Sequence, residues 1–332
     1  MGTKIKKVEY FLPNNRLTNE DLKQDFPDAD FESFEEKVGI KSRYIVSGNQ
    51  TAVDLAVGAG EKVLNGYERS KIDFVILCTQ SPDYFLPTSA CILQDRLGLS
   101  KNIGAYDFNL GCSGYIYGLA MAKGLISSNI ATNILLLTAE TYSKYIHRKD
   151  RTNRLIFGDA ATATIIEKDN TQNIGEFVLK TDGGGANCLI VKNGAAKNFY
   201  NFNAPEIEYG TGNITTENNL FMNGPEIFNF TIENIPLTVS EAIDKNETEL
   251  EKIDFFIFHQ ANKFMLDFLR KKCKISKDKF YVDLSETGNT VSSTIPIALS
   301  KLLHENKLKE GDKVMLVGFG VGLSWGATII TI

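Results

Sequence analysis

Four apolar, strand-forming residues run without a polar break from Phe255 to Phe258 in FFIFHQAN, and the run stops at His259. An unbroken run of that length fits a strand buried on both faces. His259 is one of only three histidines in the chain, so an ionisable ring is delivered to the end of an apolar element. The residues leading in, Lys252-Ile253-Asp254-Phe255, repeat an earlier Lys71-Ile72-Asp73-Phe74. KIDFVILCTQ and KIDFFIFHQA both continue as β-rich segments, and in that register His259 stands opposite Cys78.

Two more matches follow in the same order. GAYDFNLGCSGYIYGLAMAKGL (104–125) parallels KFYVDLSETGNTVSSTIPIALSKLL (279–303). Each is a short strand ending near an Asp, then a polar or Gly turn, then a helical run. Aligning Asp107 with Asp283 sets Ser113 opposite Asn289, with Cys112 one step away. GDAATATII (158–166) parallels GLSWGATII (322–330). Three matches in one order indicate a duplicated architecture. Each half alternates strands with helices, which predicts an α/β layer structure. The polar stretch EKDNTQN (167–173) divides the chain into halves, 1–170 and 171–332. Pseudo-symmetry between the halves brings equivalent strand ends to a shared centre, where Cys112, His259 and Asn289 gather.

Residues 112–126 hold one charge, Lys123, and are rich in Gly and Ala, which predicts a buried, closely packed helix. A thiol on its first turn feels the positive end of the helix and free backbone N–H groups, and both lower its pKa. Taken singly, each of the three residues has an ordinary reading. A cysteine is usually a small buried residue, and a strand-end histidine is usually a satisfied core group. Asn289, in Thr287-Gly288-Asn289-Thr290, suits a turn or a helix N-cap. Their joint placement is what marks a reaction centre.

Composition narrows the function classes. At 332 residues the chain has room for two domains, and 43% apolar with 23% charged residues is typical of a globular protein. The net charge of −5 argues against a general nucleic-acid binder. Nowhere do 18 apolar residues run together, and MGTKIKKVEYFL lacks the apolar core of a signal peptide. Five cysteines without a C-x-x-C pair read as reduced thiols of a cytoplasmic protein, with no metal site. Gly322-Leu323-Ser324-Trp325-Gly326 fits G-x-S-x-G, but the strand-like ATIITI follows and no histidine comes after, so it is no nucleophile elbow. Glycine-rich VGFGVG and TDGGGAN do not form a dinucleotide fingerprint, and P-loop and H-E-x-x-H patterns are absent.

Six motifs carry a resemblance that spans nearly the whole chain: NLGCSGY (109–115), DRTNRLIFGDAA (150–161), FMNGPEIF (221–228), HQAN (259–262), GNTVSSTIPIAL (288–299) and GFGVGLSWGA (318–327). In order and spacing they resemble the ketoacyl-acyl-carrier-protein synthase III family of the thiolase superfamily. The resemblance implies a homodimer of the thiolase-like fold, two βαβαβαββ halves in five αβαβα layers. It implies that Cys112 takes an acyl group as a thioester, and that His259 and Asn289 assist decarboxylative condensation with a malonyl thioester. The N–H groups of Cys112 and Val321 would form the oxyanion hole. The run FFIF disfavours an imidazolium, so a neutral His259 donor is expected.

Further roles follow from the same resemblance. Asn262, Arg151 and Ser33 fall at the pantetheine or CoA entrance, and Leu86, Phe157 and Phe228 at the acyl pocket. Lys263, Arg270, Lys271, Lys272 and Lys274 form a basic stretch, read either as a solvated helix face or as the dock for an acidic acyl carrier protein. No bound cofactor is implied, since the substrates are CoA or phosphopantetheine thioesters. Two positions depart from the family pattern: Ser33 stands where a Trp clamps adenine, with Phe34 beside it, and Val321 interrupts a G-F-G-G-G loop. Two alternatives stand beside condensation. One is transfer of the Cys-bound acyl group to an oxygen or nitrogen acceptor in a secondary-metabolite or surface-polysaccharide pathway. The other is a thiolase-fold interaction protein without turnover.

Overall fold

The protein is described by a computed structural model covering residues 2–210 and 212–332. Two five-stranded sheets dominate it. The first comprises β1 (Gly2–Phe11), β2 (Phe74–Cys78), β3 (Gly104–Phe108), β4 (Asn133–Glu140) and β5 (Ala160–Asp169), ordered β1-β5-β4-β2-β3. The second comprises β6 (Val178–Thr181), β7 (Phe255–Phe258), β8 (Phe280–Tyr281), β9 (Lys313–Gly320) and β10 (Ser324–Thr331), ordered β6-β10-β9-β7-β8. The pairings match one for one. β2 runs parallel to β3 and β4 as β7 does to β8 and β9, and the remaining pairs are antiparallel in both sheets. The duplication read from KIDF and its companions is therefore a duplication of sheet topology. EKDNTQN is only partly a connector, because Glu167, Lys168 and Asp169 still pair with β1.

Six helices cover and separate the sheets. They are α1 (Ala52–Leu64), α2 (Ser89–Arg96), α3 (Gly114–Ser127), α4 (Gly224–Lys245), α5 (Lys263–Lys272) and α6 (Thr294–His304). Alternation along each strand assigns the layers. Ile76 of β2 and Ile257 of β7 face the centre, packing with Ile116 and Leu119 of α3 and Ala298 and Leu299 of α6. Val75 and Leu77 turn outward onto α1 and α2. Phe256 and Phe258 turn outward onto α4 and α5. The layers thus run αβαβα, as the family resemblance implied. A strand buried on both faces has no polar side to show, which is why FVILC and FFIF read as unbroken apolar runs.

The middle layer demands the most of its sequence, since α3 and α6 meet a sheet on either side. In α3, a Cβ on Gly118 would lie 2.7 Å from Leu136 Cδ1, so the absent side chain lets helix and sheet approach closely. The single charge of the run, Lys123, leaves the layer at its far end, where Nζ reaches Glu176 Oε1 at 2.8 Å. Both middle helices begin at the same end of the sandwich, where β3 and β8 deliver the chain.

Leu299→Ala should remove a fully buried side chain from this layer and cost about 2–5 kcal/mol. Leu237→Ala, on the outward face of α4 and 66% exposed, should stay within about 0.5 kcal/mol of the parent. Denaturant unfolding of the two variants measures the contrast, and equal losses would contradict the layer assignment.

Candidate active site

Cys112 lies between the end of β3 and Ser113, the N-cap of α3. It precedes the helix rather than occupying its first turn. Its thiol is buried against the end of β9. A Cβ on Gly320 would come within 2.8 Å of Cys112 Cβ and 2.9 Å of its Sγ. One on Gly318 would come within 2.9 Å of the Cys112 carbonyl oxygen. Glycine at both positions is what lets the two half-sites touch. Ser324 ties the loop that follows, donating to the Val321 carbonyl at 2.9 Å and lying 2.6 Å from Ser113 Oγ. The serine of the G-x-S-x-G match is thus a structural link in a strand.

The expected depression of the Cys112 pKa is not what the surroundings produce. Burial, with the nearby Glu140 adding to it, pushes the thiol up to about 12. The nearby backbone N–H groups of Cys112 and Val321 pull the other way without winning. Desolvation outweighs the helix end because Cys112 stands outside the helix and away from water. These are the two groups expected from the resemblance to form an oxyanion hole, and both lie near enough to the sulfur to act on it.

His259 follows β7 directly, and its backbone N–H donates to the Val317 carbonyl at 2.8 Å. The ring is buried, with Phe319 set edge-on at 5.4 Å. Burial lowers its pKa to about 3, so the imidazole is neutral, as FFIF suggested. Asn289 is neither a free turn residue nor an N-cap. It forms a bridge with Phe157, taking the Ile156 carbonyl on its N–H at 2.9 Å and giving its own carbonyl to Gly158 N–H at 3.0 Å. Its Oδ1 accepts the Val291 N–H at 2.9 Å, which fixes the side-chain amide with Nδ2 turned 3.5 Å from His259 Nε2. Val291 in turn packs in one small apolar cluster with Cys112. The fold therefore brings together all three residues singled out from the repeat.

Glu140 was missed from the sequence. It ends β4, is fully buried, and accepts hydrogen bonds from Gln80 N–H (3.1 Å), Ser81 Oγ (3.1 Å) and Ser292 Oγ (3.0 Å). Burial outweighs those three donors and raises its pKa to about 8. The carboxyl braces the loop after β2 against the loop carrying Asn289. NILLLTAE bears the same signal as FFIFH, an apolar run ending in an ionisable residue.

The outlying candidates fare unevenly. Phe157 is buried in the cluster around Cys112, with Tyr142 against it at 5.3 Å. Leu86 is not in that cluster; it is 82% exposed beside Tyr84 and Phe85, on a loop that leaves the sheet before α2. Phe228 also lies elsewhere, stacked on Phe264 at 5.5 Å between α4 and α5, because both helices turn apolar residues to that side. Asn262 caps α5, its Oδ1 accepting the Met265 N–H at 2.8 Å. Arg151 opens the short helix Arg151–Ile156 and lines a cavity of about 550 Å³ with Asn223 and Pro225. Ser33 is half-buried in the helix Phe31–Val38, while Phe34 packs inward against the core. Of the basic stretch, Lys263, Arg270 and Lys272 donate to backbone carbonyls of Glu36, Ile275 and Ile232, and Lys271 and Lys274 are exposed. Among the described residues no group of His, Cys, Asp and Glu is arranged to hold a metal ion, and no helix is long and apolar enough to cross a membrane.

The chain is also similar to known proteins. Residues 106–183 match the family described as 3-Oxoacyl-[acyl-carrier-protein (ACP)] synthase III, and residues 243–332 match that described as its C terminal. The chain is 38% identical to a beta-ketoacyl-[acyl-carrier-protein] synthase III of Clostridium perfringens, covering 96% of each chain. It is 35% identical to one of Fusobacterium nucleatum, over 98% of this chain and 97% of that one. A crystal structure of a 3-oxoacyl-(acyl-carrier-protein) synthase III superposes with a TM-score of 0.98 at 44% identity, covering all of both chains.

Glu140 allows a signed test. Its folded pKa of about 8 lies above the ordinary 4.5, so its contribution to stability is complete below pH 4.5 and is lost as pH rises through 8. The stability of the parent relative to Glu140→Gln should therefore fall across that window. Denaturant titrations at several pH values measure it, and a difference that stays flat or grows would mean that Glu140 is ionised in the fold.

Proposed function

The chain belongs to the 3-oxoacyl-acyl-carrier-protein synthase III family and is an acyl-transferring condensing enzyme of fatty acid biosynthesis; on that premise we propose that Cys112 carries the acyl group and that His259 and Asn289 hold the enolate. The Cys112 sulfur attacks the carbonyl of an acyl thioester, and a carbon–sulfur bond forms as that to the donor thiol breaks. The thiol proton of Cys112 ends on the departing sulfur. During attack the N–H groups of Cys112 and Val321 stabilise the tetrahedral oxyanion. A malonyl thioester then loses carbon dioxide, and the electron pair left on its α-carbon attacks the acyl carbonyl. Cys112 leaves as thiolate, regains a proton, and a 3-oxoacyl thioester is released.

One observation carries this reading: His259 Nε2 and Asn289 Nδ2 stand 3.5 Å apart, with the Asn289 oxygen already occupied. Two nitrogens at that distance are poorly placed to bond each other. They suit a third atom between them, and a single enolate oxygen about 2.9 Å from each fits. Charge supports it too, since neutral groups around a buried thiol leave the developing oxyanion as the charge to be stabilised.

The wider setting belongs to the same proposal. An acyl carrier protein docks on α5 and the turn after it, where Lys271 and Lys274 are exposed beside Lys263, Arg270 and Lys272. The apolar loop Tyr84-Phe85-Leu86 is covered by a second copy in a cytoplasmic homodimer, its exposure in the single chain being the supporting observation. With Ser33 unable to stack on adenine and Phe34 packed inward, the primer arrives on the carrier protein in preference to CoA.

His259→Ala and Asn289→Ala should each lower malonyl decarboxylation about 10²–10³-fold, the usual cost of one such donor. Cys112 acylation, followed as added intact mass, should suffer less because its donors are backbone groups. Carbon dioxide release at the parent rate in both variants would overturn the assignment.

The docking proposal has its own measurement. Acylation by acyl carrier protein should slow more steeply with added salt than acylation by the matching acyl-CoA, because screening weakens steering between charged surfaces. Equal salt slopes would count against α5 as the dock.

A further inference from the structure

Thr294, the first residue of α6, has no part in the scheme above, yet among the described residues its hydroxyl is the one side-chain group bonded to the far side of the His259 ring. Thr294 Oγ1 lies 2.8 Å from His259 Nδ1, and both residues are buried. We infer that Thr294 donates its hydroxyl proton to Nδ1 and thereby holds His259 as the Nε2–H tautomer that an enolate donor must be. The inference rests on the role just proposed for His259, and Thr294 enters as a positioning residue, since it acts through the imidazole.

A neutral imidazole carries one proton, on Nδ1 or on Nε2, and only the second form can donate toward Asn289 and the site. The choice falls to the single proton of Thr294, which has two acceptors within reach: His259 Nδ1 at 2.8 Å and the Val291 carbonyl at 3.1 Å. The Val291 carbonyl already accepts the backbone N–H of Thr294. It stays satisfied when the hydroxyl turns to the ring, whereas a buried Nδ1 lone pair would otherwise lose its donor. The opposite tautomer fares worse at its other end. A bare Nε2 would face Asn289 Nδ2 at 3.5 Å, beyond ordinary hydrogen-bond length. Asn289 cannot improve the contact by rotating, because its Oδ1 holds the Val291 N–H.

Both donors of the enolate site are thus set by one short turn, Val291–Ser293. The N–H of Val291 orients Asn289, and its carbonyl anchors the backbone of Thr294, which orients His259. Val291 adopts φ of 56°, a left-handed conformation that a β-branched residue seldom takes. That turn directs its N–H back to Asn289 and its carbonyl on to Thr294.

The first test uses the unaltered protein. With only three histidines in the chain, ¹⁵N-labelled imidazole resonances can be assigned by comparison with His259→Ala. His259 should show a protonated Nε2 and an unprotonated, hydrogen-bonded Nδ1; a protonated Nδ1 overturns the inference. In Thr294→Val the tautomer population should move toward Nδ1–H. Malonyl decarboxylation should then fall about ten- to hundredfold in kcat with KM little changed, while Cys112 acylation falls less, and Thr294→Ser should restore both tautomer and rate. A loss shared equally by the two half-reactions and not rescued by serine would show a merely structural residue and sink the proposal. If Thr294→Val does not fold, the spectrum of the parent protein still decides. His259→Ala decarboxylating at the parent rate would instead overturn the role of His259 itself, whatever tautomer the parent shows.

Discussion

Burying α3 and α6 in one layer between two sheets is the constraint on which the rest of the molecule depends. Neither helix has a wet face, so the strands on both sides must present apolar residues inward, and the two halves must share one core. That shared core fixes where the helices begin. The turn before α3 and the turn before α6 lie at one end of the sandwich, and the strand end before α5 lies beside them. Cys112, Asn289 and His259 occupy those three positions. The proposed reaction centre is the place where two copies of the same topology run out of regular structure together.

Such a centre is dry, and dryness governs its electrostatics. Burial raises the Cys112 thiol, lowers the His259 imidazole and raises the Glu140 carboxyl, all three toward their neutral forms. A neutral thiol is a weaker nucleophile than the thiolate that a helix terminus would favour. In exchange, hydrogen-bond donors fixed in a water-poor site interact more strongly with charge that appears during reaction. In the reaction proposed here, the backbone N–H groups of Cys112 and Val321, and the side chains of His259 and Asn289, are in place before any such charge arrives.

The polar groups behind these donors are interlocked. Glu140 accepts from Ser292, next to Val291; Val291 holds Asn289; and Thr294 links Val291 to His259. Fixing a side chain in this way limits the freedom it would otherwise have to give up during catalysis. The mouth of the site is built differently. At the entrance and docking face proposed above, Ser33, Lys271 and Phe264 lie on exposed or half-buried helix faces, where a substitution disturbs little packing.

Periodicity, repetition and spacing in the sequence alone determined the duplicated α/β topology, the buried helix after Cys112 and the meeting of Cys112, His259 and Asn289. Each is legible because burial on both faces leaves a one-dimensional mark: unbroken apolar runs such as FFIF, and a charge-poor GYIYGLAMA. The neutral state of His259 was legible for the same reason. Tertiary structure alone decided how far each group is cut off from water, and therefore that the Cys112 thiol is raised and not lowered. It also decided that Leu86 and Phe228 lie outside the cluster around Cys112, since spacing along the chain does not say which way a loop or a helix face turns. Glu140 and Thr294 entered only with the fold, because their partners are distant in the chain. A hydrogen bond between residues such as Glu140 and Ser292, 152 positions apart, leaves no periodic trace in the sequence.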